Sequence, residues 1–168
     1  MISRRTFLRG SLGASALLGG AALFRSASGY HLDPSVAARL SVLSPKEFLI
    51  LHAVVTRIVA GDLETTLFVD RYLGNLDLAL QKDLRALCHL VEHGSGPWCL
   101  SPTRFTRMSD DQKDAVLRDW QSSRLVFRRR CFQALRSLSF LAYYRTQNTW
   151  SELGYTGPVL PRPPLVAP

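Results

Sequence analysis

Arg124-Leu125-Val126-Phe127-Arg128-Arg129-Arg130-Cys131-Phe132-Gln133-Ala134-Leu135-Arg136-Ser137-Leu138-Ser139-Phe140-Leu141-Ala142-Tyr143-Tyr144-Arg145 is the stretch on which the fold turns. It contains neither Gly nor Pro, the two residues that most disfavour a helix interior. Its apolar side chains fall into two rows at helical spacing. One row holds Leu125, Phe132 and Leu135; the other holds Phe127, Cys131, Ala134, Leu138 and Leu141. A helix apolar over so much of its circumference is expected at the centre of a bundle.

Upstream, helix signals recur. Ser109-Asp110-Asp111-Gln112 is a capping box with acids at the positive end of the helix dipole, and Val116 and Trp120 begin the buried face behind it. Gly94-Ser95-Gly96-Pro97 breaks the pattern. Before it, Asp77 caps a helix whose stripe is Leu80, Leu84, Leu87, Cys88 and Val91, ending at Gly94. A shorter helix is expected from about residue 66 to 73, with Val69, Tyr72 and Leu73 inward. Ser44-Pro45-Lys46-Glu47 is a second capping box with Pro at the first helical position. Phe48, Leu51, Val55 and Ile58 follow on one face, and Gly61 is the expected stop. No alternating strand pair with a hairpin turn competes. The expected fold is all-α, a four- to five-helix bundle. Downstream, Pro158, Pro161, Pro163 and Pro164 impose an extended tail.

The first 28 residues read as an address. Ser3-Arg4-Arg5-Thr6-Phe7-Leu8, then Arg9, precede an apolar run over residues 12–24, and no acid occurs before Asp33. This resembles a twin-arginine leader, with Arg4, Arg5, Phe7 and Leu8 as the export signal read by the twin-arginine translocase. Ser26-Ala27-Ser28 offers small residues for cleavage before Gly29, and no lipoprotein cysteine follows the run. The expected organisation is a leader over 1–28, a helical domain over 29–157 and the tail over 158–168. The periplasm is the expected destination. Four of the 21 basic residues (Arg4, Arg5, Arg9, Arg25) and none of the 13 acids lie in the leader, so the charge falls from +8 to +4 without it. That is too mild for a nucleic-acid signature. Of three cysteines, Cys88 and Cys99 are near enough for a local disulfide, and Cys131 would be a buried thiol.

Few motifs carry chemistry. His89-Leu90-Val91-Glu92-His93 places two His one turn apart and matches the inverted zinc-protease order. It sits in a last helical turn, where His is favoured anyway, and no downstream helix supplies a carboxylate ligand. There is no nucleophile elbow, no glycine-rich nucleotide fingerprint and no haem-attachment motif. No catalytic residue and no cofactor are therefore assigned to this chain. Interface chemistry is better represented. Arg128-Arg129-Arg130 cannot form one stripe, because consecutive helical residues point about 100° apart. Arg128, Arg129, Tyr144, Trp150, Tyr155 and Pro158 are the candidate partner-binding residues, since buried Tyr, Trp and Arg dominate interface energies. The contact is expected over roughly residues 140–164, helped by residues 124–136.

Three stretches also carry a family likeness. They are Leu43-Ser44-Pro45-Lys46-Glu47 with its helix, Phe132-Gln133-Ala134-Leu135-Arg136-Ser137-Leu138 with Tyr143-Tyr144, and Trp150-Ser151-Glu152-Leu153-Gly154-Tyr155-Thr156-Gly157-Pro158. Together they resemble subunit 3 of gluconate 2-dehydrogenase-type enzymes, and the helical segment of some long-chain alcohol oxidases. Where that family often has Ile-Pro after the first helix, Ile58-Val59-Ala60-Gly61 stands here. The resemblance implies a non-catalytic small subunit that supports export and maturation of an FAD-dependent alcohol or sugar dehydrogenase of the glucose–methanol–choline type. FAD would reside in that partner, and a cytochrome c subunit can accept its electrons. The other reading is a stand-alone periplasmic helical binding module, with a metal held by His89 and His93.

Overall fold

The computed structural model describes residues 29–94, 103–145 and 149–157. Among these are six α-helices: α1 Pro34–Ala37, α2 Pro45–Val59, α3 Leu63–Leu73, α4 Leu78–His93, α5 Asp110–Ser122 and α6 Val126–Tyr144. Single 3₁₀ turns lie at Phe105–Arg107 and Ser151–Leu153, and no strand occurs among the described residues. The described helices, all beyond residue 33, pack into one compact unit. The all-α expectation holds, with the one-turn α1 added to five longer helices. The leader and the proline-rich tail lie outside the described residues.

α2 is the hub. It packs against α3, α4, α5, α6 and the Phe105–Arg107 turn, and no residue from 46 to 59 is exposed. Phe48, Ile50, Leu51, Val54 and Val55 are fully enclosed, each stabilising the fold by about 1.5–3 kcal/mol. Its capping box forms as expected: the Ser44 amide donates to Glu47 Oε2 at 2.8 Å while Ser44 Oγ accepts from the Glu47 amide at 3.4 Å. The box at Ser109 and Gln112 also forms and starts α5.

The end of α2 differs from expectation. Ala60, not Gly61, takes the left-handed conformation, with φ 49°. Gly61 serves another purpose. A Cβ there would lie 2.8 Å from Val55 Cγ1 and 3.0 Å from Thr65 Cγ2, so glycine lets α3 start hard against α2. α3 also begins three residues before the expected 66, because Asp62 caps it by accepting from the Thr65 amide at 2.8 Å. The α4 stripe is buried at Leu84, Leu87, Cys88 and Val91, whereas Leu80 is 49% exposed.

α6 corrects the sequence reading most. It packs on α2, α3 and α5 through Phe132, Leu135, Ser139 and Ala142, with Cys131 at the edge. Its second row is only partly covered: Phe127 is 63% and Leu141 45% exposed, and Ala134 is exposed. Leu125 precedes the helix as its N-cap residue and is also exposed. The enclosed helix of the bundle is α2 rather than α6.

One buried carboxylate fixes the approach to α2. Asp70 of α3 has no solvent exposure and accepts the amides of Ser41 at 2.5 Å, Val42 at 3.1 Å and Leu43 at 2.7 Å. Three consecutive donors that have no helix to join are thereby satisfied. Asp70→Ala leaves them without an acceptor and is expected to cost about 3 kcal/mol or more, with Asp70→Asn costing roughly half of that. Urea unfolding of the two variants checks this; a loss under about 1 kcal/mol in Asp70→Ala would contradict it.

Candidate functional site

At the C-terminal end of α6 the Trp-x-x-x-Gly-Tyr-x-Gly sequence becomes a closed corner. Trp150 Nε1 donates to the carbonyl of Tyr144 at 2.9 Å, and Thr149 Oγ1 donates to that of Tyr143 at 3.2 Å. Two of the carbonyls left open at a helix end are thus capped by side chains. The Ser151–Leu153 turn then ends at Gly154 in the left-handed conformation, φ 65°. That reversal brings the Tyr155 amide onto the Trp150 carbonyl at 2.9 Å and its ring edge-on to the indole at 5.1 Å. Gly157, at φ 116°, passes close by the indole. Tyr144 joins the cluster through edge contacts with Tyr143 at 5.2 Å and Phe140 at 5.8 Å, and the Arg136 guanidinium lies 4.9 Å over the Phe140 ring. Tyr155 remains 45% exposed.

The candidate arginines lie elsewhere. Arg128 and Tyr144 are sixteen residues apart on one helix, about 24 Å. Arg128 pairs with Asp119 of α5 at 2.9 Å. Arg129 donates to the carbonyls of Ser123 and Arg124 at 2.5 and 3.2 Å. Both therefore tie down the α5–α6 connection. The structure brings Tyr144, Trp150 and Tyr155 together but not with Arg128 and Arg129. Arg4, Arg5, Phe7, Leu8 and Pro158 lie outside the described residues.

The His89/His93 pair is separated from its glutamate. Glu92 is fully buried and accepts from the Thr106 amide at 3.0 Å and Thr106 Oγ1 at 2.7 Å. It holds the Phe105–Arg107 turn to α4, so both of its carboxylate oxygens are engaged by Thr106. His89 Nε2 instead meets Glu47 Oε1 at 3.2 Å, and Arg85 Nε meets the same oxygen at 3.0 Å. Among the described residues no group of three or more His, Cys, Asp or Glu is placed to hold a metal ion. Cys88 is a buried thiol in the structure, which burial pushes up to about 12, and its candidate disulfide partner Cys99 lies outside the described residues. Cys131 is likewise free and buried, as expected.

Sequence reasoning missed a further surface. Between α4 and α6 runs an open apolar groove of about 840 Å³, walled by Leu84, Leu87 and Leu90 on one side and Phe127, Ala134 and Leu138 on the other. Its signal is the second apolar row of α6, which periodicity alone does not tell from core. Among the described residues no helix is long and apolar enough to cross a membrane. Comparison of the chain with protein-family models, curated proteins and solved structures finds no match.

Electrostatics adds a pH dependence. Burial would raise the Glu47 carboxyl, but the hydrogen bonds from Ser44 and the charge-assisted bond from Arg85 outweigh it and hold the group below its usual 4.5. A depressed folded pKa stabilises the fold fully above the unfolded value, and this contribution is lost as pH falls through the folded value. Glu47→Gln keeps the cap but not the ion pair. Its melting temperature should be lower at neutral pH and should fall less steeply than the parent's between about pH 5 and 3. Equal slopes in the two proteins would contradict the assignment.

Proposed function

We propose that this chain is a non-catalytic small subunit that accompanies a periplasmic FAD-dependent alcohol or sugar dehydrogenase through twin-arginine export and maturation. The observation that carries the reading is the pairing of two sequence features in one short helical chain. These are the Ser3-Arg4-Arg5-Thr6-Phe7-Leu8 leader and the Trp150-x-x-x-Gly154-Tyr155-x-Gly157-Pro158 ending. The geometry supports it in two ways. The buried carboxylates Glu47, Asp70 and Glu92 each hold structural donors, a use that suits a scaffold. The Trp150–Tyr155 corner is rigid and carries an exposed aromatic face, the kind of anchor that contributes about 2 kcal/mol or more when a partner buries it. A single leader can carry a leaderless, folded, FAD-loaded partner only if the two bind before export. FAD then belongs to the partner, and a cytochrome c subunit is the electron acceptor.

The test is affinity purification of the tagged protein from its native cell, with flavin absorbance read on the eluate. Flavin is expected with the parent protein, and the isolated mature chain should be colourless. Tyr155→Ala should leave the melting temperature within about 1–2 °C, as surface changes do, while lowering flavin recovery severalfold. Lysine at both Arg4 and Arg5 should leave the protein in the cytoplasm. An eluate free of flavin, or normal periplasmic recovery of the double-lysine variant, would overturn the reading.

A further inference from the structure

We infer that the α4–α6 groove is the seat of the chain's own C-terminal segment, residues 158–168, docked as an extended, proline-rich strand. This goes beyond the proposed function and does not depend on it. The groove is concave and leucine-walled, with Leu73, Leu76 and Leu138 at one end and Leu90 and Phe127 at the other. Helices α2, α3 and α5 cover the opposite side of α6 and leave this one open. A trough of that shape fits a single narrow element better than a second trough.

Three observations select the tail. The first is tether and reach. Gly157, the last described residue, lies beside Trp150, which is hydrogen-bonded to Tyr144 at the end of α6. That is the end nearest Leu138, about 9 Å further along the helix axis. Eleven extended residues span about 34 Å, whereas Phe127 to Leu138 along α6 is about 17 Å. The segment can enter the groove and run its length.

The second is backbone chemistry. Five of the eleven residues, Pro158, Pro161, Pro163, Pro164 and Pro168, have no amide hydrogen. An ordinary extended chain laid on leucines would bury unsatisfied donors, and this one removes nearly half of them. Val159, Leu160, Leu165 and Val166 supply the apolar side chains. Proline also fixes φ before any docking, so a proline-rich segment loses less conformational entropy on an apolar groove.

The third is charge. Apart from Arg130 on the α6 wall, the one charged residue lining the groove is Asp83 of α4, and it forms no ion pair among the described residues. Arg162 is the one charged residue of the segment. An arginine carried in beside Asp83 completes the pairing on the acidic wall.

Cys131 lines the groove, so its alkylation reports whether the groove is covered. The experiment follows N-ethylmaleimide labelling of Cys131 by mass spectrometry in the full mature chain, residues 29–168. The enclosed Cys88 serves as the control for global opening. Arg162→Asp and Asp83→Arg should each speed Cys131 labelling roughly two- to fivefold, the worth of one exposed ion pair. Both changes in one chain should restore the parent rate, and Cys88 should stay slow throughout. Termination after Gly157 should give the fastest labelling, and a synthetic peptide of residues 158–168 added to that chain should slow it again. Three results would overturn the inference. They are unchanged Cys131 labelling in the Arg162 variant, no effect of the peptide, and protection that grows with protein concentration, which would make a second copy the occupant.

Discussion

The enclosure of α2 is the constraint from which the rest follows. A helix with no exposed residue over fourteen positions must be surrounded, and four helices and a 3₁₀ turn do so. Apolar burial alone does not orient neighbours, because it is nondirectional. Polar locks supply the orientation. Glu47 on α2 meets Arg85 and His89 on α4. His52 on α2 meets Thr66 on α3 at 2.9 Å, and burial lowers its pKa so that the neutral ring is favoured. Arg57 grips Asp114 on α5 with two hydrogen bonds of 2.7 and 2.6 Å and also reaches Asp110 at 3.0 Å. Asp70 and Glu92 then fasten the segments leading into and alongside the hub.

This arrangement bears on function through what it leaves over. Glu47, Asp70, Glu92 and His52 are engaged in holding one segment to another. Two features face outward. The Trp150–Tyr155 corner presents an exposed aromatic face, and the α4–α6 groove presents leucine to the occupant inferred above, residues 158–168. Both belong to α6 or its end.

Much of the fold was legible in the sequence because its signals are local. The boxes at Ser44 and Ser109, the cap at Asp77 and the stop at Gly94 depend on residues three or four apart, and each forms. What was missed depends on distant neighbours. Nothing in residues 60–61 says that Val55 and Thr65 crowd position 61, or that Ala60 takes the left-handed conformation. Periodicity shows that α6 has two apolar rows but not which one the other helices cover. Glu92 looks like a base between two histidines until Thr106 claims it, and the three amides held by Asp70 come from almost thirty residues away. At the candidate site the aromatic residues were legible as a cluster, since they share one end of the chain. Arg128 and Arg129 were not separable from them, because ion pairing with Asp119 and bonds to backbone carbonyls are tertiary facts.

The claim that α2 is the hub has a direct readout in native-state hydrogen exchange. Amides open with free energies that range from near zero to that of global unfolding, according to how much structure must come apart. The account predicts that residues 50–55 of α2 exchange only through global unfolding, with urea dependence matching the full transition. The α6 amides, covered on one side only, should exchange through smaller openings. Slower exchange in α6 than in α2, or sub-global opening at Ile50, Leu51 and Val54, would contradict it.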